Sequence, residues 1–377
     1  MKILLVADIF PPDSGGPASY VVALANELAR AGENVIIASL NADSDESKVN
    51  CPVFKVNSHN KLARYWEFFN ILLKLSADAQ VIYAMGPVNA GLPAMLVAKL
   101  QRKKMIVKVV GDYAWEQGVN RFNVKDGIDE FQTKSGYGLR VRLLRLAQKM
   151  TVKKADKIIV PSRYLKEMVT GWGVKEEKIK VIYNAVNVFK VSKIEHTGEF
   201  WLVSAGRLVA WKGMNVLLEA VNELKNDFPL LKLKIVGDGP QKQKLDEKII
   251  SLSLKNTVEL TGKLSRAKTL SYINSADLFV LNSGYEGLSH VLIEALGLDR
   301  PVLASDMGGN KEVVAINKKR MLFEYNNKEE IKNRLREFIK KGSFTVGQSN
   351  ARARKDLLMR FSFEDMIKNT KAVLRNL

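Results

Sequence analysis

With 377 residues, 46% hydrophobic and 26% charged, the chain has the composition of a globular protein and exceeds what one core usually organises, so about two domains are expected. A single cysteine, Cys51, excludes an intrachain disulfide and fits a reducing compartment. The net charge of +19 points to an anionic partner (a phosphate-bearing small molecule, an acidic membrane surface or nucleic acid) or simply to solubility in a basic proteome.

The apolar run Ile3–Ala7 is too short for a signal peptide and is stopped by Asp8. No stretch approaches the roughly 18 apolar residues that span a bilayer, so a soluble or peripheral protein of the cytoplasm is expected. Lys2–Ala7 reads as a strand. Pro17–Ala31 reads as a helix, with Pro17 in its first turn and Gly32 as its stop. Strands follow at Val35–Leu40, Gln80–Ala84, Met105–Val110, Lys157–Val160 and Lys178–Ile182, with helical patterns between most of them. The pattern lapses in the polar stretch Asn184–Gly198, where a hinge is expected near residues 185–198. It restarts with strands at Phe200–Ala205, Leu231–Val236, Thr257–Leu260, Leu278–Leu281 and Pro301–Ala304. The helices between them are predicted at Gly213–Asp227, Pro240–Ser253, Arg266–Ser275 and Gly287–Leu296. A polar stretch, Lys340–Ala353, precedes a last helix, Phe363–Leu377. Continuous Val/Ile/Leu strands alternating with helices predict two doubly wound parallel sheets, whose ligands bind beyond the carboxyl ends of the strands.

The most telling stretch is Glu286-Gly287-Leu288-Ser289-His290-Val291-Leu292-Ile293-Glu294. Glu294 sits in an apolar run, where an unpaired carboxylate costs on the order of several kcal/mol. Either a basic residue of the same chain or the hydroxyls of a ligand must compensate it. Arg207 and Lys212 follow a strand and flank a helix start, a placement that suits a pyrophosphate or, more plainly, two solvated charges. Gly15-Gly16, at the end of the first strand, suits close approach to an anion or a plain turn. Gly237-Asp238-Gly239 suits a phosphate loop or a simple reversal, and backbone groups at Thr261-Gly262-Lys263-Leu264 can bracket a flat base. Gly308-Gly309 reads either as a close approach to ligand or as a tight helix start. The glycine spacing is not the dinucleotide G-x-G-x-x-G, and no P-loop, nucleophile elbow or Cys/His zinc cluster is present. Asp43-Ser44-Asp45 matches a metal pattern only formally, within a polar loop.

Together, Gly15-Gly16, Arg207…Lys212-Gly213, Gly237-x-Gly239, Glu286-x7-Glu294, Pro301 and Gly308-Gly309 resemble the family-4 retaining glycosyltransferases of the GT-B type. The resemblance spans nearly the whole chain and is densest from 200 to 315. It implies two facing Rossmann-like α/β domains with a cleft between them. Residues 1–190 would form the acceptor side, 191–360 the nucleotide-sugar side, and 361–377 a helix crossing back. Arg207 and Lys212 would hold the diphosphate, and Glu294 would accept from the ribose hydroxyls in place of an internal salt bridge. Glu286 would contact the donor sugar, with the backbone of Gly287, Leu288, Ser289 and His290 nearby. Gly15, Gly16, Gly237, Gly239, Gly262 and Leu264 complete the implied donor site. Neither a metal nor a cofactor is implied, only a nucleotide-diphosphate sugar and a glycan or lipid-linked acceptor. Many members carry a histidine where this chain has Asp112, a carboxylate that donates a hydrogen bond only when protonated.

Tyr137–Lys154 interleaves cations with leucines at helical spacing, and Lys61–Lys74 adds Trp66, Phe68 and Phe69. They read as core-packed helices with solvated basic faces, or as a dock for an anionic membrane. The rival functions are another GT-B chemistry, such as a nucleotide-sugar epimerase or a phosphorylase, and a non-catalytic basic binding subunit. A phosphorylase needs a far longer chain, and no nucleic-acid motif accompanies the charge.

Overall fold

The computed structural model describes residues 1–12, 16–186, 188–189, 191–314, 322–341 and 351–377. Strands β1 (Lys2–Ala7), β2 (Asn34–Ser39), β3 (Val53–Lys55), β4 (Val81–Ala84), β5 (Lys104–Lys108), β6 (Lys157–Val160) and β7 (Ile179–Val181) form one sheet in the order β3-β2-β1-β4-β5-β6-β7. Every pairing in it is parallel. The central strands are apolar at successive positions because helices cover both faces: all four residues of β4 are buried. Helix Gly16–Arg30 buries Tyr20, Val21, Leu24 and Leu28 at helical spacing.

Strands β8 (Phe200–Ala205), β9 (Leu231–Val236), β10 (Val258–Gly262), β11 (Leu278–Leu281), β12 (Val302–Ser305) and β13 (Leu322–Phe323) form the second sheet, ordered β10-β9-β8-β11-β12-β13 and again parallel. In each sheet the order reverses beside the first strand, between β1 and β4 and between β8 and β11. Such switch points are where ligands of open α/β sheets bind, beyond the carboxyl ends.

The chain divides into two units, Met1–Ala185 with Phe363–Leu377, and Val186–Ser362. The divisions fall at 185/186 and 362/363, against the 190/191 and 360/361 expected. The last helix, Phe363–Arg375, belongs to the first unit because Met366, Val373 and Leu374 complete the apolar cluster of Ile3, Leu5 and Tyr20. Between β5 and β6 the chain forms the helices Tyr113–Arg121 and Ile128–Thr133 before Leu139–Lys154. The helix expected at Gly287–Leu296 is His290–Gly297, which leaves Gly287, Leu288 and Ser289 in the loop before it. Most of the polar stretch Lys340–Ala353 lies outside the described residues. Among the described residues, no helix is long and apolar enough to cross a membrane.

Candidate functional site

In the second unit the loops at the carboxyl ends of β8, β9, β11 and β12 knit together. Leu208 N–H donates to the Asp238 carbonyl (2.9 Å) and Gln241 N–H to the Leu208 carbonyl (3.0 Å), so the loops after β8 and β9 are locked. Gly239 allows this contact: a Cβ there would lie 2.5 Å from the Leu208 carbonyl oxygen. Gly237 likewise faces the Gly206 carbonyl, and its N–H bonds to the Gly262 carbonyl (3.1 Å). Backbone approaching backbone thus accounts for both glycines of the Gly237-x-Gly239 pair. Leu264 is half-buried two residues beyond Gly262.

The loop after β8 makes a short turn, Ala210–Lys212, that delivers Lys212 toward the loop after β11. There Lys212 Nζ donates to Glu286 Oε1, forming an ion pair whose side chains are 13% and 11% exposed. Two further contacts hold Glu286. Gly309 N–H donates to its carbonyl (2.8 Å), and Gly308, at φ 52°, lets the loop after β12 close on it. A Cβ on Gly308 would stand 2.3 Å from the Glu286 carbonyl oxygen. The glycine pair therefore serves an approach to loop 286–287, a third reason beside the two read from sequence.

Beneath this loop lies a polar layer that sequence reasoning did not pick out. Asn282 donates through Nδ2 to the Gly213 carbonyl (2.8 Å) and accepts from Asn326 N–H (3.0 Å). Ser305 donates to the Ser283 carbonyl (2.6 Å), and Asn310 donates to the Ser305 carbonyl (3.1 Å). Ser289 precedes helix His290–Gly297, yet its side chain makes no capping bond. Its buried hydroxyl has no hydrogen-bond partner among the described residues, an exception among buried polar groups.

Glu294 is buried on helix His290–Gly297, and its side chain is 7% exposed. Burial raises its pKa, and the guanidinium of Arg266 partly offsets the rise. Arg266 Nη2 lies 2.7 Å from Glu294 Oε1. The expectation that a ligand replaces an internal salt bridge is corrected here: the chain supplies its own cation, from the first turn of helix Arg266–Ser275. Arg207 is exposed and forms no ion pair among the described residues. Gly287 and Leu288 are buried, and His290 is half-buried.

In the first unit Gly16 opens helix Gly16–Arg30, and Gly15 lies outside the described residues. Asp112 is 1% exposed. Its Oδ1 accepts from Trp115 N–H (3.0 Å), capping helix Tyr113–Arg121, and from Gln148 Nε2 (3.0 Å), while Oδ2 accepts from Gln132 Nε2 (2.8 Å). The geometry gives this carboxylate a structural duty, not an open face. The polar groups near the carboxyl ends of β1 and β4 are instead Asp8 and a chain in which Tyr65 donates to Asn89 Oδ1 (2.8 Å) and Asn89 Nδ2 to the Tyr113 hydroxyl (3.0 Å). Burial, with a smaller contribution from Asp8, raises the pKa of both tyrosines. Asp45 of the formal metal pattern caps a short turn at Ser47 N–H. Among the described residues, no three His, Cys, Asp or Glu are grouped to hold a metal.

Two family models match the chain: "Glycosyltransferase Family 4" over residues 14–189 and "Glycosyl transferases group 1" over 186–355. The uncharacterized glycosyltransferase MJ1178 of Methanocaldococcus jannaschii is 28% identical over 61% of this chain, an alignment spanning 62% of that protein's length. The alpha-monoglucosyldiacylglycerol synthase of Streptococcus pneumoniae is 22% identical over 81% of this chain and 71% of its own. Among solved structures, Anabaena HepE in complex with UDP and glucose superposes over 100% of both chains, with a TM-score of 0.77 at 18% identity. That last likeness is one of fold.

Proposed function

The chain belongs to the group 1, family 4 glycosyltransferases, with the GT-B fold, and we propose that it moves a sugar from a nucleotide-diphosphate sugar to an acceptor hydroxyl with retention of configuration. One observation carries the reading. Lys212 and Glu286, 74 positions apart, form a nearly buried ion pair beyond the carboxyl ends of β8 and β11, at the switch point of the second sheet. Such a pair adds little to stability once desolvation is counted, so its use lies in what it meets.

On this reading Arg207 and Lys212 hold the diphosphate and Glu286 orients the sugar. Glu294, paired with Arg266, accepts from the ribose hydroxyls, and the hydroxyl of Ser289 gains a partner in the donor. As the bond from the anomeric carbon to the diphosphate oxygen breaks, negative charge grows on that oxygen. The two cations stabilise it more than they stabilise the ground state. The acceptor hydroxyl attacks the same face of the anomeric carbon. Its proton passes to the departing oxygen, so neither a protein base nor a metal ion is assigned a step. Asp112 is a positioning residue here, and the first unit presents the acceptor near Asp8, Tyr65, Asn89 and Tyr113. The acceptor class is a glycan or lipid-linked saccharide, met at the inner face of a membrane to which the protein binds peripherally. UDP and glucose bound to HepE support a nucleotide-sugar donor.

The test is Lys212→Ala, assayed for donor turnover after a thermal-shift screen of nucleotide-sugars has found the one that stabilises the wild type. Turnover is expected to fall on the order of 100-fold. Near-normal turnover in a folded variant would overturn the assignment.

A further inference from the structure

Helices Lys61–Ser76, Gly91–Leu100 and Leu139–Lys154 pack side by side in the first unit. Each buries one face, through Phe68 and Leu72, through Ala94 and Val97, and through Val141 and Val152. Their opposite faces should be polar, and they are not. On the first, Leu62 and Trp66 are 85% and 73% exposed. Leu96 and Leu100 stand out from the second. Leu139, Leu143, Leu146 and Met150 run along the outer side of the third, within about 60° of one another at 3.6 residues per turn. This ridge is flanked by cations, with Arg142, Lys149 and Lys153 on one side and Arg140 and Lys154 on the other.

The charges say what covers this face. The three helices carry three, one and six lysines and arginines, against a single carboxylate, Glu67. Glu67 is tied to the backbone of Asn57 and Ser58, and none of the cations is in an ion pair among the described residues. A second copy of this chain would bring like charge to like charge. A groove at the start of the third helix, lined by Lys125, Asp126, Tyr137, Leu139 and Arg140, adds two cations at the end of the ridge, its one carboxylate, Asp126, being paired with Lys134. An apolar ridge between cationic flanks is the arrangement of a helix lying in a bilayer interface, with leucines and tryptophan below the headgroups and ammonium and guanidinium groups among lipid phosphates.

We infer that the outer face of these three helices is the surface by which the protein docks on an anionic lipid bilayer. The inference deepens the peripheral-membrane part of the proposed function and is independent of its donor chemistry. The experiment is flotation of the full chain with vesicles of neutral lipid alone and of neutral lipid mixed with phosphatidylglycerol. Binding is expected only to the anionic vesicles, and is expected to fall when salt is raised about tenfold. Each cation removed should weaken it about fivefold, so Arg142→Gln with Lys153→Gln should lose about 25-fold. Leu143→Ser with Leu146→Ser should also release the protein while leaving its melting temperature and its turnover on a soluble acceptor unchanged. Lys212→Ala should keep vesicle binding, so failure of the docking face and failure of the chemistry are read separately. Three results would overturn the proposal: no binding to anionic vesicles at low salt, undiminished binding by both paired variants, or a dimer in solution that the serine pair dissolves.

Discussion

Replacing Arg266 with methionine keeps the length of the side chain and removes the cation that faces Glu294. The carboxylate stays where it is, almost fully buried, with its 2.7 Å partner gone. Breaking a fully buried pair costs about 3–5 kcal/mol, and losing a hydrogen bond to a charged group costs about 1.5–3 kcal/mol. Arg266 is itself half exposed, so water already shares its side of the pair and the lower end applies, about 1.5 kcal/mol. For a unit of this size that is a fall of about 3–6 °C in melting temperature. The pH dependence gives the sharper test. Burial raises the pKa of Glu294 above the ordinary carboxylate value of 4.5, so its protonated form favours the folded state below 4.5, an advantage lost as pH climbs through the folded value. Removing Arg266 takes away the one opposing influence and raises the folded pKa further. The difference between variant and wild type should therefore be small in acid and grow toward neutral pH. Nucleotide affinity in Arg266→Met should recover with rising pH as Glu294 ionises. Differential scanning fluorimetry across pH, repeated with Glu294→Gln in both backgrounds, measures this. An equal loss at acid and neutral pH, or a full loss when Glu294 is already Gln, would refute the argument.

Lys108 is buried with its Nζ 3.7 Å from the centre of the Tyr20 ring and no hydrogen-bond partner among the described residues, and burial holds its pKa well below the usual lysine value. The unfolded chain takes up that proton more readily, so folding loses stability as pH falls through the folded pKa. Lys108→Met should stabilise the protein at neutral pH by about 1–3 kcal/mol in urea unfolding, with the gain shrinking toward alkaline pH. Asp112→Ala should cost about 2 kcal/mol or more through the lost cap and the stranded Gln132 and Gln148, while donor binding measured by titration calorimetry stays as in wild type. Gly308→Ala puts a Cβ into the Glu286 carbonyl at a left-handed φ, so it should lower stability by about 1–3 kcal/mol and turnover more than nucleotide affinity, as steady-state kinetics would separate.

What was legible in the chain was what physics makes local. A strand buried on both faces is apolar at successive positions, so β1, β4, β8 and β11 announce themselves, whereas β3 and β13, at three and two residues, carry too few positions to form a pattern. Glu294 stood out because a carboxylate inside Val291-Leu292-Ile293…Ala295-Leu296 needs a reason within its own helix. Its partner did not, because Arg266 opens a helix 28 positions earlier and looks like any solvated first-turn residue until the fold sets it 2.7 Å away. The same holds for Asn282 and Asn326, and for Tyr65, Asn89 and Tyr113, which are ordinary loop and helix residues until strand order brings them together. Helix Leu139–Lys154 shows a second kind of illegibility. Its leucines have a helical period, and period alone does not say which apolar stripe faces the sheet. Val141 and Val152 take the core and Leu143 and Leu146 take the outside, so the larger side chains sit on the face that the fold leaves open. A stripe of that size on the outside, ringed by unpaired cations, is costly in water and needs a partner, just as the buried Glu294 does. In both cases the sequence displays the anomaly, and only the packing says whether its compensation lies within the chain, as Arg266 does, or beyond it.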